Sequence, residues 1–493
     1  MSATDTLPDA PGWRSWSPLQ LRRAWLSMDQ NPAAQRFATS LVGRFVVLGA
    51  YCAALLASNQ LSTAALGLVA LTLGAILVAP AYRLAILCGA SAFFFILRPF
   101  RIDGWADLTA QKAQLIGIPS LALQASAALA VLVTAWAYLA WQKAHPKAFP
   151  AQRPVFALIV MWFALALATW LLPLGQTVGG FLWVFTGTLI SSLWIFAYAA
   201  IDNRGKDKTP IPARAALMRP FWGGSAAPIG KSFGYLNKFD AKSDADLGKT
   251  RLKALKLAVW AVMLTGVLAV TNVILKDLFG LPDLQSAIVA FAEGNSLPLT
   301  TNWASLVSNY FVDLLIISIW GHMIVSVVRM AGYAIPRNTV NPLASRTLAE
   351  FWNRYFFYFK ELLVDLFFYP AFLRFFKKQP KLRIAFATLC AAGLGNFLYH
   401  FMRETYIFAD RPFLEALAVF QSAAFYSLAL AAGLIISQLR KKKPTAEDGF
   451  FAYHIRPRLG VIAFFCFLKV FDDISGEGTF LERVAFFGAL FGL

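Results

Sequence analysis

Charge is scarce in this chain. Of 493 residues only 14% are Asp, Glu, Lys or Arg and 58% are hydrophobic, against about 25% and about 45–50% in soluble globular proteins. That deficit excludes a water-soluble domain. A membrane barrel is excluded as well, because the apolar runs are near 20 residues, not the alternating segments of about 10 that barrel strands require. Cysteine is sparse too. Cys52, Cys88, Cys390 and Cys466 each sit in an apolar run with neither CxxC nor Cys/His spacing, so they read as small apolar side chains rather than as disulfides or metal ligands. No HExxH, no GxSxG elbow in α/β context and no acidic cluster with metal-ligand spacing is present. No metal and no bound cofactor is therefore expected. No n-region/h-region pattern opens the chain, so no cleavable signal is expected, and no nucleic-acid signature accompanies the net charge of +19.

What the chain has in quantity is long apolar stretches. They fall near 45–58, 62–80, 84–98, 115–141, 154–173, 178–201, 257–277, 303–330, 384–402, 411–438 and 458–471. The expectation is an all-α polytopic membrane protein with about 11 transmembrane helices. The basic residues have a matching explanation: Lys and Arg collect on cytoplasmic loops and meet anionic lipid headgroups. They cluster at 202–256 and at Arg440 to Lys443. Placing these inside the cell gives a consistent alternation from an inner N-terminus to an outer C-terminus. The chain divides into a cytoplasmic segment 1–40, a transmembrane bundle 41–201, a basic cytoplasmic loop 202–256 and a second transmembrane region 257–493. Within 1–40, Trp13, Trp16, Leu19, Leu21, Trp25 and Leu26 interleave with Arg14, Arg22 and Arg23, as in a short interfacial helix.

One stretch breaks the alternation. Residues 332–354 and 374–383 are both basic, yet the apolar block 355–373 lies between them. A single crossing would put one of them outside, so the block is expected to lie in the interface or to enter and return. At about 100° per residue, Glu350, Arg354, Glu361 and Asp365 project onto one stripe of a continuous helix. That stripe faces a water-filled tunnel in one reading and plain solvent in the other.

His400 stands inside the apolar run 384–402. An ionisable group at membrane depth is costly unless a neighbour or wet cavity compensates, which makes it a functional candidate. Asn396 precedes it by four residues, so both leave one helical face. A neutral imidazole suits a general base, and an amide such as Asn396 or Asn353 suits an oxyanion donor. The plainer alternative is a core histidine bonded to a carbonyl. His322 also lies in an apolar run and is a weaker candidate for the same cavity. His145 reads as a loop residue and His454 as a headgroup-surface residue. The segment Gly223 to Ser232 fails the Walker A pattern: Ser225 stands where the first Gly is needed, and Pro228 removes a backbone donor. Its Lys231 remains a candidate for touching a donor phosphate.

The block Phe351-Trp352-Asn353-Arg354-Tyr355, then Asp365 and Tyr369-Pro370, then a histidine in the next apolar helix, resembles the membrane-bound O-acyltransferase (MBOAT) family. The resemblance covers roughly 320–440. Tyr355 stands where the family commonly has Trp, and Phe401 follows His400 where many bacterial glycan acylators have Gly. The resemblance implies helices ringed around a central tunnel, His400 as catalytic residue, and Asn353 and Asp365 as polar positions of the motif helix, with Trp352 and Arg354 beside them. It also implies acyl transfer to a hydroxyl. The donor would be a cytosolic thioester, acyl-CoA or acyl carrier protein. The acceptor would be an extracytoplasmic glycan or lipid headgroup. The expected setting is the inner membrane, with membrane lipids, the acyl donor and an extracytoplasmic acceptor or partner protein as partners. Two other classes fit the same basic loops and polar residues: a transporter or flippase for a lipid-linked or anionic substrate, and a scaffold subunit of an envelope assembly.

Overall fold

A computed structural model describes residues 25, 27–100, 102–222, 227–440, 446–472 and 477–493. Apart from Trp25, the expected interfacial segment lies outside the described residues. Among those described, every regular element is helical, and the one β-bridge joins Asp240 to Tyr333. Among the described residues nine helices are long and apolar enough to cross a membrane, or ten if a bent pair counts as one span. The protein is a multi-pass membrane protein.

In chain order the helices are α1 (Pro32–Thr39), α2 (Leu41–Ala57), α3 (Thr63–Val78), α4 (Pro80–Leu97), α5 (Asp103–Ile116), α6 (Ser120–Ala144), α7 (Pro154–Leu171) and α8 (Gln176–Asn203). There follow α9 (Asp244–Leu278), α10 (Leu299–Met330), α11 (Leu348–Tyr355), α12 (Phe357–Leu363), α13 (Tyr369–Arg374), α14 (Pro380–Arg403), α15 (Phe413–Leu439), α16 (Phe451–Lys469) and α17 (Phe480–Ala489). The bent pair is α1 and α2. The Ser40 side chain caps α2 by accepting from the Gly43 N–H (3.0 Å), and the two axes differ by 93°. The second sequence run, as α3, is apolar but only 16 residues long. Expectation and structure therefore differ at the short N-terminal runs alone.

Burial sorts the spans. In α8 83% of the apolar window is buried, against 17% in α4 and α9. Thus α8 is the central pillar, while α4 and α9 turn much of their surface outward, where lipid is as good a solvent for Leu and Val as protein.

Two expectations are corrected. The basic segment 202–256 is not an external loop throughout. Arg83, at the start of α4, pairs with Asp240 (2.7 Å). Phe221 N–H donates to Ser91 Oγ midway along that helix (3.2 Å), and Arg219 reaches the Phe100 carbonyl past its far end (3.0 Å). Residues 219, 221 and 240 thus meet α4 past its far end, at its middle and at its start. Its cations survive burial because they are capped: Arg214 holds Asp207 (2.6 Å) and the Thr209 carbonyl (3.1 Å). Residues 244–256 belong to α9.

The second correction concerns 350–365. It is not one continuous helix, because α11 ends at Tyr355 and Phe356 is extended (φ −134°, ψ 75°). The broken ends are satisfied from elsewhere. Val340 N–H donates to the Arg354 carbonyl (2.8 Å), the Thr339 hydroxyl to Tyr355 (2.8 Å), and Phe357 N–H to the Asn338 carbonyl (3.0 Å). A strand-like segment, 338–340, takes over the backbone bonds that a helix would have kept. The single polar stripe therefore splits. Glu350 and Arg354 pair with each other (2.7 Å), while Glu361 and Asp365 turn to Lys231. α12 runs through the π-helical stretch Val364–Phe368 into α13, and with Lys360, Glu361, Asp365 and Arg374 along it this run is not among the candidate spans.

Candidate functional site

His400 lies near the end of α14, five residues past a π-helical stretch, Leu389–Gly395. A second π stretch, Val364–Phe368, follows α12 and packs against it. Gly395 permits that approach: a Cβ there would meet the Phe367 ring at 2.7 Å. The π turn sets the face on which Asn396 and His400 emerge. Such turns recur at functional sites.

Asn396 is completely buried. Neither atom of its amide has a hydrogen-bond partner among the described residues, and neither does His400 Nδ1. Buried polar groups are rarely left so. One helical turn separates the two residues, and side chains at that spacing meet. The imidazole stands edge-on to Phe359 of α12 (centroids 6.2 Å apart, 79°) and to Tyr399 (5.3 Å, 85°). Tyr399 in turn stacks on Trp194 of the central pillar (6.0 Å).

Beside His400 is a charged group that sequence reading missed. Lys469, the last residue of α16, bridges Asp313 of α10 (2.6 Å) and Asp472 (2.5 Å), and Asn309 donates to Asp313 (3.2 Å). Burial raises the Asp472 carboxyl, but the Lys469 charge and hydrogen bond prevail, aided by His400 and Arg403, and hold it below the usual carboxylate range. His400, Tyr355, Tyr426 and Lys469 are half-buried, and the Lys469, Asp313 and Asp472 side chains are 20%, 29% and 32% exposed. The signal was available: Asp313 is the one acid in the run 303–330, as conspicuous as His400 by the same rule.

The other sequence candidates fall as follows. Trp352 is nearly buried and contacts Phe465 (6.4 Å, 15°) and Phe359 (6.0 Å), so Phe359 links it to His400. Asn353 is exposed on α11 and makes no hydrogen bond to the histidine cluster. Arg354 pairs only locally, with Glu350. His322 lies nine residues beyond Asp313 on α10, roughly 13 Å along the axis, and neither joins the cluster nor lines the cavity described below.

Asp365 and Lys231 meet in a second cluster. The Lys231 ammonium, 10% exposed, pairs with both Asp365 and Glu361. Tyr198 of α8 donates its hydroxyl to Asp365 (2.9 Å), and the ammonium stands over the Tyr198 and Tyr235 rings (5.3 and 5.1 Å). Lys231 has left-handed backbone (φ 52°). Of the Gly-rich segment, Gly223 to Ala226 lie outside the described residues. Burial raises the Glu361 carboxyl, but Lys360 and then Lys231 more than offset it, leaving it below the usual range. Tyr235 is pushed up to about 12, by burial first and by these carboxylates after it.

A cavity of about 710 Å³ lies between the α2–α3 junction, the far end of α4, α8, α10 and the segment 218–229. Phe356 and Arg403 close it on the side toward α12 and α14. His400 is not in its wall. Arg403 stands between the cavity and the histidine cluster, since its charge reaches both His400 and Asp472. All four cysteines are free, and no group of three or more potential metal ligands occurs among the described residues.

No protein-family model and no curated protein matches this chain.

Proposed function

We propose that the protein is a membrane O-acyltransferase with His400 as its base. The observation that carries this reading is a half-buried imidazole in a membrane-spanning helix, beside the charged pair of Lys469 and Asp472, with an Nδ1 and, one turn away, a buried amide that both lack a hydrogen-bond partner among the described residues. Asn396 is covered by its neighbours, so its best role is to accept from Nδ1–H. That would hold the tautomer whose Nε2 lone pair is free. Nε2 takes the proton of an acceptor hydroxyl as the oxygen attacks the thioester carbonyl of acyl-CoA or acyl carrier protein. Lys469 supplies positive charge toward the developing oxyanion. When the tetrahedral intermediate collapses, the C–S bond breaks, the ester remains, and the thiolate takes the proton back from the imidazolium. Asn353, exposed on α11, has no part in this scheme. The acceptor would be an extracytoplasmic glycan or lipid hydroxyl, and the setting the cytoplasmic membrane. The sequence block from Phe351 to Pro370 supports the same reading by its resemblance to acyltransferases.

The test is transfer of a labelled acyl group by purified protein. His400→Ala should abolish transfer while the variant still inserts and unfolds at the wild-type temperature. Wild-type turnover in that variant would sink the assignment. The cation-lined cavity favours one rival, movement of an anionic amphiphile across the membrane. Passage of such a molecule across vesicles without consumption of thioester would establish that rival instead.

A further inference from the structure

The cavity has an unbalanced wall. Four tryptophans (Trp105, Trp194, Trp222 and Trp320) and several aliphatic side chains make it mainly apolar. Three arginines from three separate segments also line it: Arg98 past the end of α4, Arg219 on the segment alongside that helix, and Arg403 at the end of α14. Among the described residues no carboxylate does. Glu404 holds Arg403 from behind (2.7 Å) and offsets one charge. Arg219 is buried, bonded to the Phe100 carbonyl (3.0 Å) and set over the Phe94 ring (5.5 Å). Arg98 is exposed and marks the rim.

Glu404 offsets one guanidinium and a carbonyl caps another, but no carboxylate of the described residues enters the space, so its wall carries net positive charge that favours an anion there. The anion that planar guanidinium forks match best is a phosphate. The remaining wall asks for hydrocarbon, and the volume is within the usual range of about 300–1,000 Å³ for small-molecule sites. We propose that this cavity binds a membrane lipid by its phosphate, with the phosphate among Arg98, Arg219 and Arg403 and part of the lipid's apolar body against the tryptophans. The site is separate from His400 and does not depend on the acyltransferase reading.

The test uses the full chain, purified in detergent and read by native mass spectrometry. The probes are dioleoyl phosphatidic acid, dioleoylglycerol and inorganic phosphate. Phosphatidic acid should be retained at least about tenfold better than dioleoylglycerol, the scale of one charge-assisted contact. Arg98→Gln, at the exposed rim where folding is not at stake, should weaken retention about tenfold. Ser191→Trp, which fills the cavity from α8, should remove it at an unchanged unfolding temperature. Equal retention of the neutral lipid, or unaltered retention in Arg98→Gln, overturns the proposal. So does displacement of phosphatidic acid by inorganic phosphate at equal concentration, which would mark a free-anion site. Because no turnover is read, a failure of the His400 assignment leaves this result intact.

Discussion

Lys231 and Lys469 are the same device used twice. Each is a lysine at membrane depth holding two carboxylates from other elements: Glu361 and Asp365 in one case, Asp313 and Asp472 in the other. Their surroundings differ. Lys231 is 10% exposed, flanked by two tyrosine rings, and its partner Asp365 takes a further bond from Tyr198. Lys469 is 20% exposed, its partners 29% and 32% against 23% and 27% for Glu361 and Asp365, and His400 stands beside it. The first cluster joins the segment beside α4 to α12 and to the central pillar, and so fastens three pieces of chain. The second stands next to the histidine. A paired charge among membrane-spanning helices is therefore not a functional mark by itself; the group it stands beside is what separates a fastening from a working site.

Substitutions can break that contrast. The largest expected effect is on chemistry: Lys469→Met should lower acyl transfer on the order of 10²-fold, yet cost only about 1 kcal/mol of stability, because water reaches the two carboxylates it leaves behind. Lys231→Met strands carboxylates of similar accessibility, 23% and 27% exposed, and should cost about as much stability, about 1 kcal/mol, seen in thermal unfolding, but with no histidine beside it turnover per folded molecule should stay within a few-fold of wild type. If both variants lost activity and stability in the same proportion, the contrast would be false.

A pH series sharpens it. Glu361 and Asp472 both titrate below their ordinary values when folded. Their contributions are complete above the unfolded carboxylate pKa and are lost as pH falls through the lower folded values. Stability from both clusters should be level from pH 6 to 8 and decline only in acid. Glu361→Gln and Asp472→Asn should each flatten that acid limb, as followed by unfolding temperature against pH. Tyr198→Phe should cost about 1 kcal/mol, for one hydrogen bond to a charged acceptor. The smallest effect belongs to Asn353→Ala, within about 0.5 kcal/mol and with transfer unchanged.

The spans were legible because a bilayer imposes one length and one polarity on any helix that crosses it. That 355–373 is not among the candidate spans agrees with the reading from charge, in which basic segments flank it on both sides. The break at Phe356 was not, because no Pro or Gly marks it and the groups that satisfy it come from residues 338–340. The embedding of 219–240 was hidden for a related reason. A count of Arg and Lys cannot distinguish a solvated guanidinium from one capped by carbonyls, as in Arg214 and Arg219. Among the site residues, His400 and Asn396 come together on one face, whereas Asn353 stands apart. Asp313 and Lys469 were visible as solitary charges, but their pairing spans more than 150 positions and needed the fold.

The π stretch in α14 has a geometric corollary. A helix that closes its hydrogen bonds one residue late rotates everything after it relative to everything before, so the first turns of α14 and its last two are keyed to different neighbours. Shortening Leu389–Gly395 by one residue would leave a helix of nearly the same length and hydrophobicity, able to insert normally. The imidazole would nonetheless point along another bearing, away from Asp472, and an intact-looking protein would be silent.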